Sequence, residues 1–220
     1  MKEEAVKMNR VWAMPSFATF TIKPIAELLE RYRVGIGWID PFAGWNSPAE
    51  FTNDINPKAP TTHHAEAELF VQSFGLGKYY ALFDPPYSNR QISEHYKEAG
   101  LSATQLDTSA QFYSKVKDKL AGVIRDGGYV ISFGWNSNAM GKNRGFEIVE
   151  ILLVAHGGHH NDTIVTVERK IVSLDKPLTG KDKFVIEGCK FCGCGKRSEA
   201  IGGQGSNGAC ICSCHSTWNR

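Results

Sequence analysis

Tyr79-Tyr80-Ala81-Leu82-Phe83-Asp84-Pro85-Pro86-Tyr87 is the stretch on which the fold turns. Five apolar or aromatic residues closed by a double proline read as a buried strand stopped at its carboxyl end, since proline has no N–H with which to continue a ladder. Upstream, Val34 to Ile39 reads as a second short buried strand and closes on Asp40-Pro41-Phe42-Ala43-Gly44. Phe51 and Thr52 begin or flank a third, leading to Asn53-Asp54. Open parallel sheets bind ligands at the carboxyl ends of their strands, so strands of one sheet would carry these acids on one edge.

Helical periodicity fills the gaps. Thr21 to Arg33 has a Thr cap, an early proline, and Ile25, Leu28, Leu29 and Tyr32 on one face. A short helix is expected within His64 to Phe74, with Glu66 near its start. Asp107 caps a further helix in which Phe112, Val116, Leu120 and Ile124 recur every fourth residue, until Gly127-Gly128 ends it. Tyr129 to Phe133 is the next strand. Phe146 to Val154 and Asp162 to Glu168 then read as an antiparallel hairpin joined by a loop holding His156, His159 and His160. Alternation of this kind predicts an α/β protein with a central, mostly parallel sheet.

The residues at position 84 onward suit one chemistry. An exocyclic amino group on a nucleobase is a weak nucleophile because its lone pair is delocalised into the ring. A site that accepts hydrogen bonds from both of its N–H groups favours the tetrahedral nitrogen of the transition state. The Asp84 carboxylate and the Pro85 carbonyl are two such acceptors, Pro86 stiffens the turn, and Tyr87 offers a ring against which an extruded base can stack. The plainer reading is an Asp-Pro turn closing a strand, with Tyr87 as ordinary packing.

Taken together, Asp40 to Gly44, Asp54, His64-Ala65-Glu66-Ala67 and Asp84 to Tyr87 resemble the motifs of amino-group-specific DNA methyltransferases, particularly the small adenine-type enzymes of bacteriophages and prophages. The resemblance covers about residues 11 to 175, and only the Asp-Pro-Pro-Tyr motif is highly specific. It implies a Rossmann-like class I methyltransferase fold with seven strands in the order 3-2-1-4-5-7-6. It implies S-adenosylmethionine as cofactor, with Phe20, Thr21 and Lys23 in the element closing over its methionine part and Asp40, Pro41, Phe42, Ala43 and Gly44 as the cofactor loop. Asp54 would take the ribose and Glu66 approach the adenine. The activity implied is methylation of adenine N6 in DNA by Asp84, Pro85, Pro86 and Tyr87. Cytosine N4 methylation and a catalytically inactive DNA-binding accessory remain as alternatives, as does transfer to RNA or to a protein amide. Two departures stand out: Trp45-Asn46-Ser47-Pro48 follows Gly44 where a second glycine is usual, and no segment is long enough for a separate target-recognition domain. Target choice would then fall to loops or to a partner subunit.

The chain has 220 residues, 42% of them hydrophobic, and a formal charge of +2, which neither marks nor opposes a nucleic-acid binder. It carries no apolar run approaching the ~20 residues of a membrane span and no signal-peptide pattern, so a cytoplasmic location in a bacterium or phage-infected host and no membrane partner are expected. Among substrate-contact candidates, Ser88 to Asp107 holds Asn89, Arg90, Gln91, His95, Tyr96 and Lys97, and the segment after the 129–133 strand holds Asn136, Asn138, Lys142 and Arg144. His63, His64 and the three loop histidines read as solvated or phosphate-contacting groups, because methyl transfer from a sulfonium needs no metal. Residues 1–187 form the expected methyltransferase domain. Residues 188–220 form a Cys/Gly-rich tail containing all six cysteines. In a reducing compartment that tail reads equally as a zinc knuckle, through Cys189, Cys192, Cys212 and His215, or as a metal-free flexible segment.

Overall fold

The computed structural model describes residues 5–104 and 110–171. Seven strands form one sheet: β1 (Lys7–Trp12), β2 (Trp38–Asp40), β3 (Phe51–Thr52), β4 (Tyr80–Phe83), β5 (Tyr129–Gly134), β6 (Phe146–Ala155) and β7 (Thr163–Lys170). Their spatial order is β1-β6-β7-β5-β4-β2-β3. Only β7 runs against the rest, pairing antiparallel with both β5 and β6. This mixed sheet with its C-terminal antiparallel hairpin matches the Rossmann-like class I methyltransferase architecture.

Both faces are covered. In β4, Leu82 packs with Ile25, Leu28 and Leu29 of helix α1 (Lys23–Tyr32). Its neighbours Ala81 and Phe83 face the other way, among Phe70 and Val71 of α2 (Ala67–Gln72) and Val116 and Leu120 of α4 (Ala110–Val123). Successive residues of a strand point to opposite faces, so a sheet sandwiched between helices reads as an unbroken apolar run instead of an alternating one. The remaining helix, α3 (Asn89–Glu98), starts at Ser88, whose Oγ accepts from the Gln91 N–H at 3.3 Å.

Three expectations need correction. The order 3-2-1-4-5-7-6, counted from the strand that ends at Asp40, is kept from its second place on, as β3-β2-β4-β5-β7-β6, but among the described residues no strand lies outside β3, and the seventh strand is β1, at the opposite edge and parallel to β6. The polar start of the chain gave no strand signal because its stabilisation is remote. The fully buried Glu150 of β6 accepts from Asn9 at 3.3 Å, Arg31 at 2.7 Å and Tyr32 at 2.8 Å, with Lys7 at 3.4 Å, tying β1 and α1 to one carboxylate. Burial, reinforced by that hydrogen bond, pushes the Tyr32 hydroxyl up to about 12. The Val34–Ile39 strand shortens to Trp38–Asp40, because Gly35 and Gly37 sit at φ of 86° and 96°, outside any β conformation. Thr21 does not cap α1. It belongs to a 3-10 turn, Thr19–Thr21, and its Oγ1 donates to the Ala18 carbonyl at 2.8 Å.

Candidate active site

Because six strands run the same way, the segments leaving β1 to β6 emerge on one edge, and the segment entering β7 meets them there. Between them lies a cleft of about 1010 Å³ whose walls include Phe20, Asp54, Glu66, Asp84, Tyr87 and Trp135. Asp54 and Asp84 thus line the same space.

The loop after β2 is built around two buried side chains. Asp40 is fully buried. Its Oδ1 accepts from the Phe42 N–H at 3.0 Å and its Oδ2 from the Ser47 hydroxyl at 2.6 Å, so it folds the loop back on itself. Asn53, also buried, donates from Nδ2 to the carbonyls of Pro41 at 3.1 Å and Ala65 at 2.9 Å, while its Oδ1 accepts from the Ala65 N–H at 2.9 Å. One side chain therefore clips the loop after β2 to the segment entering α2. Asp54 accepts from the Gly44 N–H at 3.1 Å and the Asn56 N–H at 2.7 Å. Gly44 takes a left-handed φ of 54°, so the turn is made with this single glycine despite the bulky Trp45 that follows.

Burial raises the Asp40 carboxyl to about 7, against the lowering effect of its bonds from Ser47 and Phe42 and with a further push from Asp84 and Asp54. A carboxyl that holds its proton more tightly folded than unfolded contributes stability that is fully present below the unfolded value of 3.8 and is lost as pH rises through about 7. Asp40→Asn keeps an acceptor for the Phe42 N–H and removes the ionisation. Its melting temperature relative to the parent is expected to rise between about pH 4 and pH 7 and to level off above that in thermal melts.

The turn after β4 is anchored on all sides. The Tyr87 N–H donates to Gln91 Oε1 at 2.7 Å, and the Pro86 carbonyl accepts from the Tyr113 hydroxyl at 3.0 Å. The Tyr87 hydroxyl donates to Asp84 Oδ1, and the Thr19 side chain hydrogen-bonds to the same pair. Burial raises Asp84 to about 6, opposed by the bonds from Tyr87 and Thr19. Burial and the Asp84 charge push the Tyr87 hydroxyl well above its ordinary value, so it remains a donor. The Tyr87 ring meets Trp135 edge-on at 5.7 Å.

The expected residues divide between cleft and scaffold. Phe20, Pro41, Phe42, Ala43, Gly44, Asp54, Glu66 and Asp84 to Tyr87 all line the cleft. Asp40, Thr21 and Lys23 do not: Asp40 lies beneath the loop, and Thr21 and Lys23 face solvent. Of the substrate-contact candidates, Gln91, His95 and Tyr96 reach the cleft, and the Tyr96 hydroxyl donates to Glu66 Oε2 at 3.4 Å. Arg90 turns instead to Glu94 at 2.8 Å. Arg144 is held by Asp118 at 2.6 Å and the Ser114 hydroxyl at 2.8 Å, so it clamps its loop to α4. His156, His159 and His160 all line the cleft, and His156 is also held in the scaffold: its ring nitrogens bond the Ala13 carbonyl at 2.8 Å and Thr163 Oγ1 at 2.9 Å. Asn53 and Thr19 escaped the sequence reading. An Asn directly before the ribose-type acid was visible as a residue, but its partners lie in two other segments. Among the described residues, no three His, Cys, Asp or Glu side chains gather as a metal site. Cys189, Cys192, Cys212 and His215 lie outside the described residues.

No family model matches the chain, and no curated protein matches it. Among solved structures it is similar to TrmN of Thermus thermophilus, at TM-score 0.46 and 17% identity, over 68% of this chain and 49% of that one. The chain thus spans about half the length of TrmN. It is also similar to the provisionally named methyltransferase yhhF of Escherichia coli, at TM-score 0.42 and 12% identity, over 68% and 83% of the two chains. A provisionally named hemolysin of Streptococcus thermophilus follows at TM-score 0.40 and 13% identity, over 67% and 64%. Likeness this distant leaves the functional reading to the chain's own residues.

Proposed function

We propose that this protein transfers a methyl group from S-adenosylmethionine to the N6 amino group of adenine in DNA. The observation that carries the reading is the convergence of Asp54, Glu66 and the Asp84–Tyr87 turn on one cleft of about 1010 Å³, large enough for a nucleoside cofactor and a base together. The cleft fits such a cofactor. Each Asp54 oxygen accepts one backbone N–H and keeps a lone pair for a ribose hydroxyl, and Phe42 and Ala43 supply apolar wall. When bound, S-adenosylmethionine supplies an electrophilic methyl carbon on a sulfonium whose sulfur leaves as a neutral thioether.

The chain's own residues do the rest. Asp84 and the Pro85 carbonyl accept the two hydrogens of the adenine amino group and turn its lone pair toward the methyl carbon. Tyr87 and Thr19 occupy two of the roughly four lone-pair sites of Asp84, fixing the carboxylate and leaving others for the amine. Once methylated, the amino nitrogen would be acidic, and Asp84 or solvent would take its proton. Asp84 must be ionised to act, so with its carboxyl raised to about 6 the free enzyme's kcat/KM is expected to fall about tenfold per pH unit on the acid side of that value. A kcat/KM profile that stays flat down to pH 4.5 would remove Asp84 from this role.

The direct test is incubation of the purified chain with DNA and S-adenosylmethionine, followed by mass analysis of the nucleosides. N6-methyladenine is the expected product. N4-methylcytosine would replace adenine by cytosine as the target, and absence of both transfer and cofactor binding would leave a non-enzymatic accessory.

A further inference from the structure

The cleft described above opens between aromatic rings that stand in water. Phe17 is fully exposed, and Trp135 is 43% exposed although it touches Tyr87. Both flank the catalytic turn: Phe17 precedes Phe20, whose ring packs edge-on against Phe133 at 5.2 Å, and Trp135 lies just beyond Phe133 on the same strand end. Large aromatic side chains are costly to leave solvated; Trp45, 62% exposed, is a third such ring on the cleft wall, next to Gly44, and the two beside the catalytic turn form surfaces on which bases can stack.

The charge of the cleft points the same way. Among the described residues that line it there is no Lys and no Arg; Asp54, Glu66 and Asp84 contribute carboxylates, and His95, His156, His159 and His160 contribute imidazoles. A protein that grips duplex DNA does so by neutralising phosphates, with a salt dependence that grows with each contact. A wall of rings, imidazoles and carboxylates, with no Lys or Arg, gives any phosphate backbone little to hold, so binding at this wall has to come from stacking. It suits a strand whose bases are already unpaired, because every base then presents a face for stacking and none has to be pulled from a helix.

We infer that the substrate is single-stranded or locally unpaired DNA, with Phe17 and Trp135 stacking on the nucleotides that flank the target base. This rests on the methyltransferase reading above. The test uses the full chain and one oligonucleotide sequence offered single-stranded and as a duplex, at low and high salt, with initial rates of methyl transfer measured for each. The single strand is expected to be used at least about tenfold better in kcat/KM, with a shallow salt dependence. Phe17→Ala and Trp135→Ala are each expected to raise KM for the single strand by about 5-fold or more with little change in kcat, and Trp135→Phe to restore most of the loss. Anisotropy of a labelled single strand gives the same ranking without turnover, and melting curves check that each variant folds. Equal or better use of the duplex, or an unchanged KM in both alanine variants, would overturn the inference while leaving the activity standing. No transfer to either form would overturn the proposed activity and this inference with it.

Discussion

Asp84→Ala is expected to lower kcat by about 10²–10³-fold while leaving the dissociation constant for S-adenosylmethionine nearly unchanged. The carboxylate is placed by the end of β4 and by Tyr87 and Thr19, and none of these bonds involves the residues that would hold the cofactor. Its loss removes an acceptor whose effect is felt at the reacting nitrogen, so the ground-state affinity for the cofactor should be spared. Asp84→Asn separates charge from geometry. An amide oxygen still accepts, so partial activity points to positioning, whereas a loss equal to that of alanine points to the negative charge. Calorimetric titration with the cofactor beside steady-state rates makes the distinction. A variant that loses cofactor binding and turnover together would show that Asp84 supports the loop after β2 instead of the amine.

The second large effect is expected at a residue that touches no substrate. Asn53→Ala removes three hydrogen bonds, leaving the Pro41 carbonyl unpaired in a buried setting and the Ala65 carbonyl and N–H without this partner in a part-buried one. A buried polar group left unpaired costs about 1–3 kcal/mol, and because neighbouring losses are not additive a total of roughly 3–5 kcal/mol is reasonable. In a protein of this size that is a fall in Tm of about 10 °C. Since the same amide joins the loop after β2 to the segment leading into Glu66, cofactor affinity should fall at least about tenfold in the folded variant at low temperature. Asn53→Asp is informative beside it, because it keeps the shape but replaces both Nδ2 donations with a buried charge. A melting temperature within about 2 °C of the parent for both variants would contradict the role assigned here.

The parts of this molecule that could be read from the chain are those encoded locally. The strand-then-Pro-Pro pattern at 79–87 located β4 and its turn, apolar positions at three- and four-residue spacing located α1 and α4, and the two β-rich runs around the glycine-histidine loop located the β6–β7 hairpin. What escaped depends on residues far apart. Lys7–Trp12 has no strand signature of its own and becomes β1 through pairing with β6 and through Glu150. Asn53 looks like any loop asparagine until Pro41 and Ala65 are brought beside it. Thr19 carries no signal in the sequence, and only the fold brings its side chain to Asp84. Asp40 was a residue of the right type at the right place in sequence, yet a strand-end acid can serve the cleft or the loop beneath it, and periodicity does not say which.

The pairing of β1 with β6 also sets a condition on how the chain comes together. Asn9 and Glu150 are 141 residues apart, so β1 depends on a partner strand far along the chain. Until β6 and β7 have been made, Lys7–Trp12 has no neighbour to dock against, and the segment from Ala13 to Phe20 that forms one wall of the cleft has no anchor at His156. Closure of such distant contacts is slow compared with helix formation. The wall of the cleft that runs from β1 to Phe20 is therefore tied to a partner strand made long after it, although α1 and β2 to β5 lie between the two in the chain.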